Sequence, residues 1–211
     1  MSLRARQLLL LLHPTARASE WVAPVAGAVL AIAIDSLAGR ISAALGLEFA
    51  AIALALGVSF AFDDPAGASI AASPTPLALR HSIRAAGVLP LPAAVWIGLL
   101  LRTHAGGQSI LTLVLAGLVA WAFAIAAVGT RVGDSGGLIA APSLLALAAC
   151  AFLLPGHVSL FPAGAPSSEG KALVVRWVLV LGLAACTWVA ASLDPASQHV
   201  LARRLRLPAP P

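Results

Sequence analysis

From Ser109 to Val128 the chain runs 20 residues without a charge, SILTLVLAGLVAWAFAIAAV. A helix needs about 20 mostly apolar residues to cross the hydrocarbon core of a bilayer, and a run of this length with no ionisable group has no natural place on a water-facing surface. The rest of the sequence is of the same kind. It is 60% apolar and only 10% charged, with a mean hydropathy of +0.98, whereas soluble domains hold about 45–50% apolar and about 25% charged residues. These values point to a bilayer as the solvent and leave no room for a separate soluble domain.

Five further apolar segments accompany the first, giving an expected all-α polytopic membrane bundle of about six transmembrane helices in one integral domain over residues 1–211. One begins near Trp21 and continues through Asp35, because its charge-free part to Ile34 has only 14 residues. A second spans about Gly46 to Phe62 between Glu48 and the Asp63–Asp64 pair, short enough to be re-entrant instead. The third, about Ala85 to Leu101, contains Pro90 and Pro92. Proline removes a backbone donor and clashes with the preceding turn, so a kink or break is expected there. Segments at about Leu138 to Leu154 and Leu173 to Ser192 complete the set, with Arg176 expected to snorkel to an interface. Trp21, Trp177 and Trp188 fall near segment ends, where an aromatic belt would place them, and Trp96 and Trp121 fall deeper, where packing between helices is expected.

Ala23, Gly27, Ala31 and Asp35 recur at every fourth position. Small residues on such a stripe allow close approach of two membrane helices, and an acid at its end faces protein or water rather than lipid. Asp35 is read either as an intramembrane polar site or as an interfacial carboxylate paired with Arg40.

Residues 1–20 begin MSLRARQLLLLLHP, whose apolar core from Leu8 to Leu12 is shorter than the roughly 7–15 residues of a signal-peptide core. A short helix in the membrane interface is expected, with Arg4, Arg6 and Arg17 toward headgroups. Counting Lys and Arg in alternate loops gives nine on one side (Arg4, Arg6, Arg17, Arg80, Arg84, Arg131, Arg203, Arg204, Arg206) and three on the other (Arg40, Arg102, Lys171). Positive charge stays inside, so both termini, the 63–85 loop and the 194–211 tail are expected in the cytoplasm of a cell membrane. The net charge of +5 thus reads as topogenic and not as a nucleic-acid surface, since the basic residues form no single patch.

Few residues suggest chemistry. Cys150 and Cys186 lie within apolar runs and behave as small hydrophobes. The five histidines are scattered one per loop or tail without partners at metal spacing. Gly133 to Gly137 spell GDSGG, which surrounds the nucleophile of trypsin-like proteases, but here the pentapeptide falls between two apolar helices and is read as a tight turn. With no phosphate loop and no HExxH pair, the expectation is a chain that is not an enzyme and carries no cofactor or metal.

The polar interval Asp63–Arg84, DDPAGASIAASPTPLALRHSIR, is the exception. Asp63 and Asp64 before Pro65, and Thr75 before Pro76, are both helix starts, since Asp and Thr cap free N–H groups and proline suits the first helical position. The second helix is expected to run to about Ala85, with Arg80 and Arg84 four apart on one face. Whether these charges pair among themselves or meet a partner is open.

Taken together, MSLRARQLLLLL and the DDPA…PTP…R loop resemble the membrane subunit of bacterial ABC-2-type transporters. The resemblance implies an N-terminal interfacial helix, six spans with cytoplasmic termini, and a coupling loop between the second and third spans. It implies a separate ATPase as docking partner, a second membrane subunit or a homodimeric copy, and export of a small molecule or peptide. The other expectation is a non-transporting membrane scaffold or accessory protein whose loop packs on its own helices.

Overall fold

The computed structural model describes residues 21–38, 40–63, 77–103, 108–132, 135–155, 158–161 and 170–192. The expected interfacial segment 1–20, the tail 194–211, and Asp64, Pro65, Thr75 and Pro76 of the loop lie outside the described residues. Within them every regular element is a helix: α1 Val22–Ala38, α2 Ala43–Ser59, α3 Leu77–Val88, α4 Pro90–Thr103, α5 Gln108–Val132, α6 Gly136–Leu153 and α7 Gly170–Ser192. Four stretches are long and apolar enough to cross a membrane: Ala78–Thr103, which joins α3 to α4, then α5, α6 and α7. At 17 residues each, α1 and α2 extend about 26 Å at 1.5 Å per residue, less than the roughly 30 Å hydrocarbon thickness. They form a shorter antiparallel pair.

That pair makes the most extensive helix-to-helix contact in the fold. A Cβ placed on Gly27 would lie 2.7 Å from the Ala53 carbonyl oxygen and 2.8 Å from the Gly57 Cα, and one on Gly57 would lie 2.9 Å from the Ala23 carbonyl oxygen. The stripe read from the sequence therefore meets its partner through backbone. α2 is apolar around its circumference and buried over nearly its whole length, as a helix enclosed on all sides should be. It packs against α1, α4, α5 and α6. α5, the longest helix at 25 residues, packs in turn on α2, α6 and α7. Gly117 of α5 receives the six-membered ring of the Trp177 indole from α7, with no space for a side chain between them.

Pro90 and Pro92 lie inside the Ala78–Thr103 stretch, and the helix breaks beside them at Leu89, as expected. α3 does not stop at Ala85 but continues to Val88, and α4 starts at Pro90. The two prolines thus occupy the first turn of α4, where the missing N–H groups would have no intrahelical partner. The bonds Leu89 N–H to Ala85 O (2.9 Å) and Ala93 N–H to Leu89 O (3.1 Å) carry the chain across. Arg80 and Arg84 consequently sit on a helix continuous with the following span.

The deep tryptophans pack between helices as expected: Trp96 donates to Thr112 Oγ1 and Trp121 to Ser143 Oγ, each at 3.2 Å. Trp177 departs from the belt expectation. It is fully buried, and its indole N–H donates to Leu160 O at 2.6 Å, because the segment 158–161 folds back over the bundle and brings a carbonyl to it. Arg176 is held there too, donating to Ser159 O at 3.0 Å instead of reaching outward.

Gly27→Ala is expected to destabilise the protein by about 1–3 kcal/mol, because rigid backbone must separate to admit the methyl group. Gly182→Ala, whose Cβ meets nothing within 4 Å, is expected to cost nothing. Reversible unfolding in mixed micelles compares the two.

Candidate functional site

Two groups of polar side chains stand out, one at each end of the bundle. The first surrounds the chain where it leaves α2 and re-enters α3. The N-terminus of α6 has its N–H groups pointing out of the helix, and Ser135, the N-cap residue, gives them no side-chain bond. Asp63 supplies it from 74 residues away, its Oδ1 accepting from Gly137 N–H at 2.8 Å. A carboxylate at this position also meets the positive end of the helix dipole. Glycine is required at 137, where a Cβ would strike the Phe60 ring and lie 2.7 Å from Asp63 Oδ2. The GDSGG stretch, of which Gly133 and Asp134 are outside the described residues, thus ends in two close-packing glycines, Gly136 lying against Ala126 of α5.

The arginines satisfy the opposite kind of helix end. Arg84 donates to Phe62 O at 3.1 Å, just past the C-terminus of α2, and Arg131 Nε donates to Ala191 O in the last turn of α7. Between them His81 is buried, with Nδ1 3.3 Å from Ser192 Oγ. Its ring stacks on Phe62 (4.6 Å between centroids), which stacks on Phe123 at 5.2 Å. The sequence treats His81 as one of five scattered histidines. Its site depends on contacts 111 residues apart, and its only local signal is an i, i+4 register with neighbours on a helix entering the membrane.

Asp63 and Arg84 of the expected docking set are therefore brought together and bonded into the bundle. The loop helix that Asp63 is read to start lies outside the described residues, and the described bond of Asp63 caps α6. Arg80 is half-buried one turn before Arg84 and is among the charges that bear on His81, with Arg84 and Arg131. A serine–histidine pair works as nucleophile and base when a third group orients the histidine. Among the described residues the charges bearing on His81 are guanidinium groups, and the pair fastens α3 to the end of α7.

At the other end, which carries Arg40 and Ile41, Asp35 is buried on α1. Of the two readings of Asp35, the pairing with Arg40 is not the one described: the cation whose field reaches Asp35 is Arg102 of α4. Arg102 itself donates to Ser36 Oγ at 3.2 Å. The physical reason is local: α1 stays helical through Ala38, and Arg40 lies on the exposed turn. Glu48 of α2 is fully buried. Beside it a stacked series, Phe49–Phe152–Phe161 with Trp177 edge-on, links α2, α6, the 158–161 segment and α7.

Among the described residues no group of three His, Cys, Asp or Glu side chains gathers at metal-binding distance, and Cys150 and Cys186 are exposed free thiols. Comparison with known protein families, with curated proteins and with solved structures finds no match.

Asp63→Ala is expected to lower stability by about 0.5–2 kcal/mol, the cost of losing an N-cap, with Asp63→Asn intermediate. Thermal unfolding followed by circular dichroism in detergent measures both.

Proposed function

We propose that this chain is the six-span membrane subunit of an ABC-type transporter, with both termini in the cytoplasm and the 63–85 loop receiving the stroke of a separate ATPase. The observation that carries this reading is mechanical. The two described edges of the loop are fastened to distant helices: Asp63 to the start of α6, His81 to the end of α7, and Arg84 to the chain leaving α2. A force on the loop passes into three helices at once, as a coupling element requires. The short α1–α2 pair and the four membrane-length stretches supply six crossings if the bilayer thins or the pair tilts to meet it, adjustments that cost fractions of a kcal/mol per Å. The substrate class on this reading is a small molecule or peptide.

A second reading, a non-transporting membrane scaffold, draws on the same bonds from the other direction. Asp63 and Arg84 face their own bundle, so the loop edges are self-satisfied without a partner.

Arg80→Glu separates the two. In chains purified from native membranes, the unaltered protein is expected to bring down an ATP-hydrolysing subunit, and Arg80→Glu to lose it while remaining folded and inserted. Absence of that subunit from the unaltered preparation favours the scaffold. Arg84→Glu is unsuited to this test, because it breaks the bond to Phe62 O and lowers stability directly.

A further inference from the structure

Asp35 occupies a position that costs stability in three ways. It is 3% exposed, and its Oδ1 is buried without a hydrogen-bond partner. Leaving a buried acceptor unsatisfied costs about 1–3 kcal/mol, and more if it is charged. It also lies in the last turn of α1, at the negative end of the helix dipole, where a carboxylate is disfavoured.

The neighbours do not repair this. α1 packs on α2 and α4. From α4, Arg102 directs its Nη1 to Ser36 Oγ at 3.2 Å, the residue beside Asp35. From α2, the face toward α1 carries Ala53 and Gly57. Glu48, five residues before Ala53, is turned about 140° away from that face at 3.6 residues per turn. Arg40, on the turn, is exposed. A metal ion would need several oxygen ligands, and no three candidate ligands gather there among the described residues. A proton needs none: it neutralises the carboxyl where it stands.

We propose that Asp35 is a proton-binding site, holding a proton in the conformation described and releasing it to water when Arg102 moves from Ser36 onto the carboxylate. The step balances simply: the carboxyl O–H breaks, the proton leaves to solvent, and the guanidinium replaces it as the neutralising charge. Ser36 and Asp35, adjacent in sequence, give Arg102 two alternative acceptors. This site goes beyond the ATPase-coupled reading and does not depend on it.

Infrared spectroscopy of the full chain in lipid nanodiscs, with isotope-labelled aspartate, tests the proposal. At neutral pH the unaltered chain is expected to show the C=O stretch of a protonated aspartate, lost in Asp35→Asn and kept in Glu48→Gln. Arg102→Gln removes the competing charge. Since an opposite charge nearby shifts such an equilibrium by at least about tenfold, that variant is expected to hold the proton to an about tenfold lower proton concentration. The proposal is overturned if the unaltered chain shows no protonated aspartate, if the signal survives Asp35→Asn, or if Arg102→Gln leaves the titration unmoved. The first and third readouts hold even if Asp35→Asn does not fold.

Discussion

Hydrocarbon is as apolar as leucine, so helices in a bilayer gain nothing by merely hiding apolar side chains from their surroundings; they associate through close packing and internal hydrogen bonds. In this chain α2 meets that constraint for the rest. Gly57 and Ala53 let the α1 backbone approach to contact distance, which frees the remaining faces of α2 for α4, α5 and α6. Larger residues at Gly27 or Gly57 would push α1 outward and, with it, the Asp35–Ser36 turn that Arg102 reaches. The placement of a polar site thus depends on two missing side chains about 12 Å away along the helix axis, eight residues at 1.5 Å each.

A second constraint shapes the opposite end. Helix termini leave unsatisfied N–H and C=O groups, and near hydrocarbon these must find partners within the protein. Asp63 meets an N-terminus, while Arg84 and Arg131 meet carbonyls at or beyond C-terminal ends. Each sign of charge faces the end of the dipole that stabilises it. Arg84 and Arg131, two of the arginines counted for orientation in the sequence, also fasten helix ends, and with Asp63 and His81 they tie the described edges of the loop to the bundle.

The membrane class and the helical segments were legible because they are local properties: a 20-residue uncharged run reads the same wherever it sits in a fold. The stripe Ala23–Gly27–Ala31 was legible for a related reason, since spacing by four puts small residues on one face. Its partner Gly57 was not, because nothing in GLEFAAIALALGVS marks which of several small residues will face α1. Asp63 and Arg84 were legible as special but assigned to the loop they border. Their partners, Gly137 and Phe62 O, are fixed by tertiary contacts: one lies 74 residues away and the other is a bare carbonyl. Trp177 was placed near a segment end, and the 158–161 segment folds inward and buries it. His81 was noted without a role, because its partners Phe62 and Ser192 come from distant parts of the chain.

The two ends of the bundle use arginine differently. At the loop end, Arg84 and Arg131 bind backbone carbonyls, one just past α2 and one in the last turn of α7, and a carbonyl does not titrate. Those bonds are permanent fastenings. At the turn end, Arg102 binds a serine hydroxyl with a buried carboxyl one residue away, so the same kind of group faces two acceptors of which only one titrates. Exchange between them changes the charge of a buried site without breaking any helix. A bundle fastened at one end and able to rearrange at the other is suited to pivot about its fastened end.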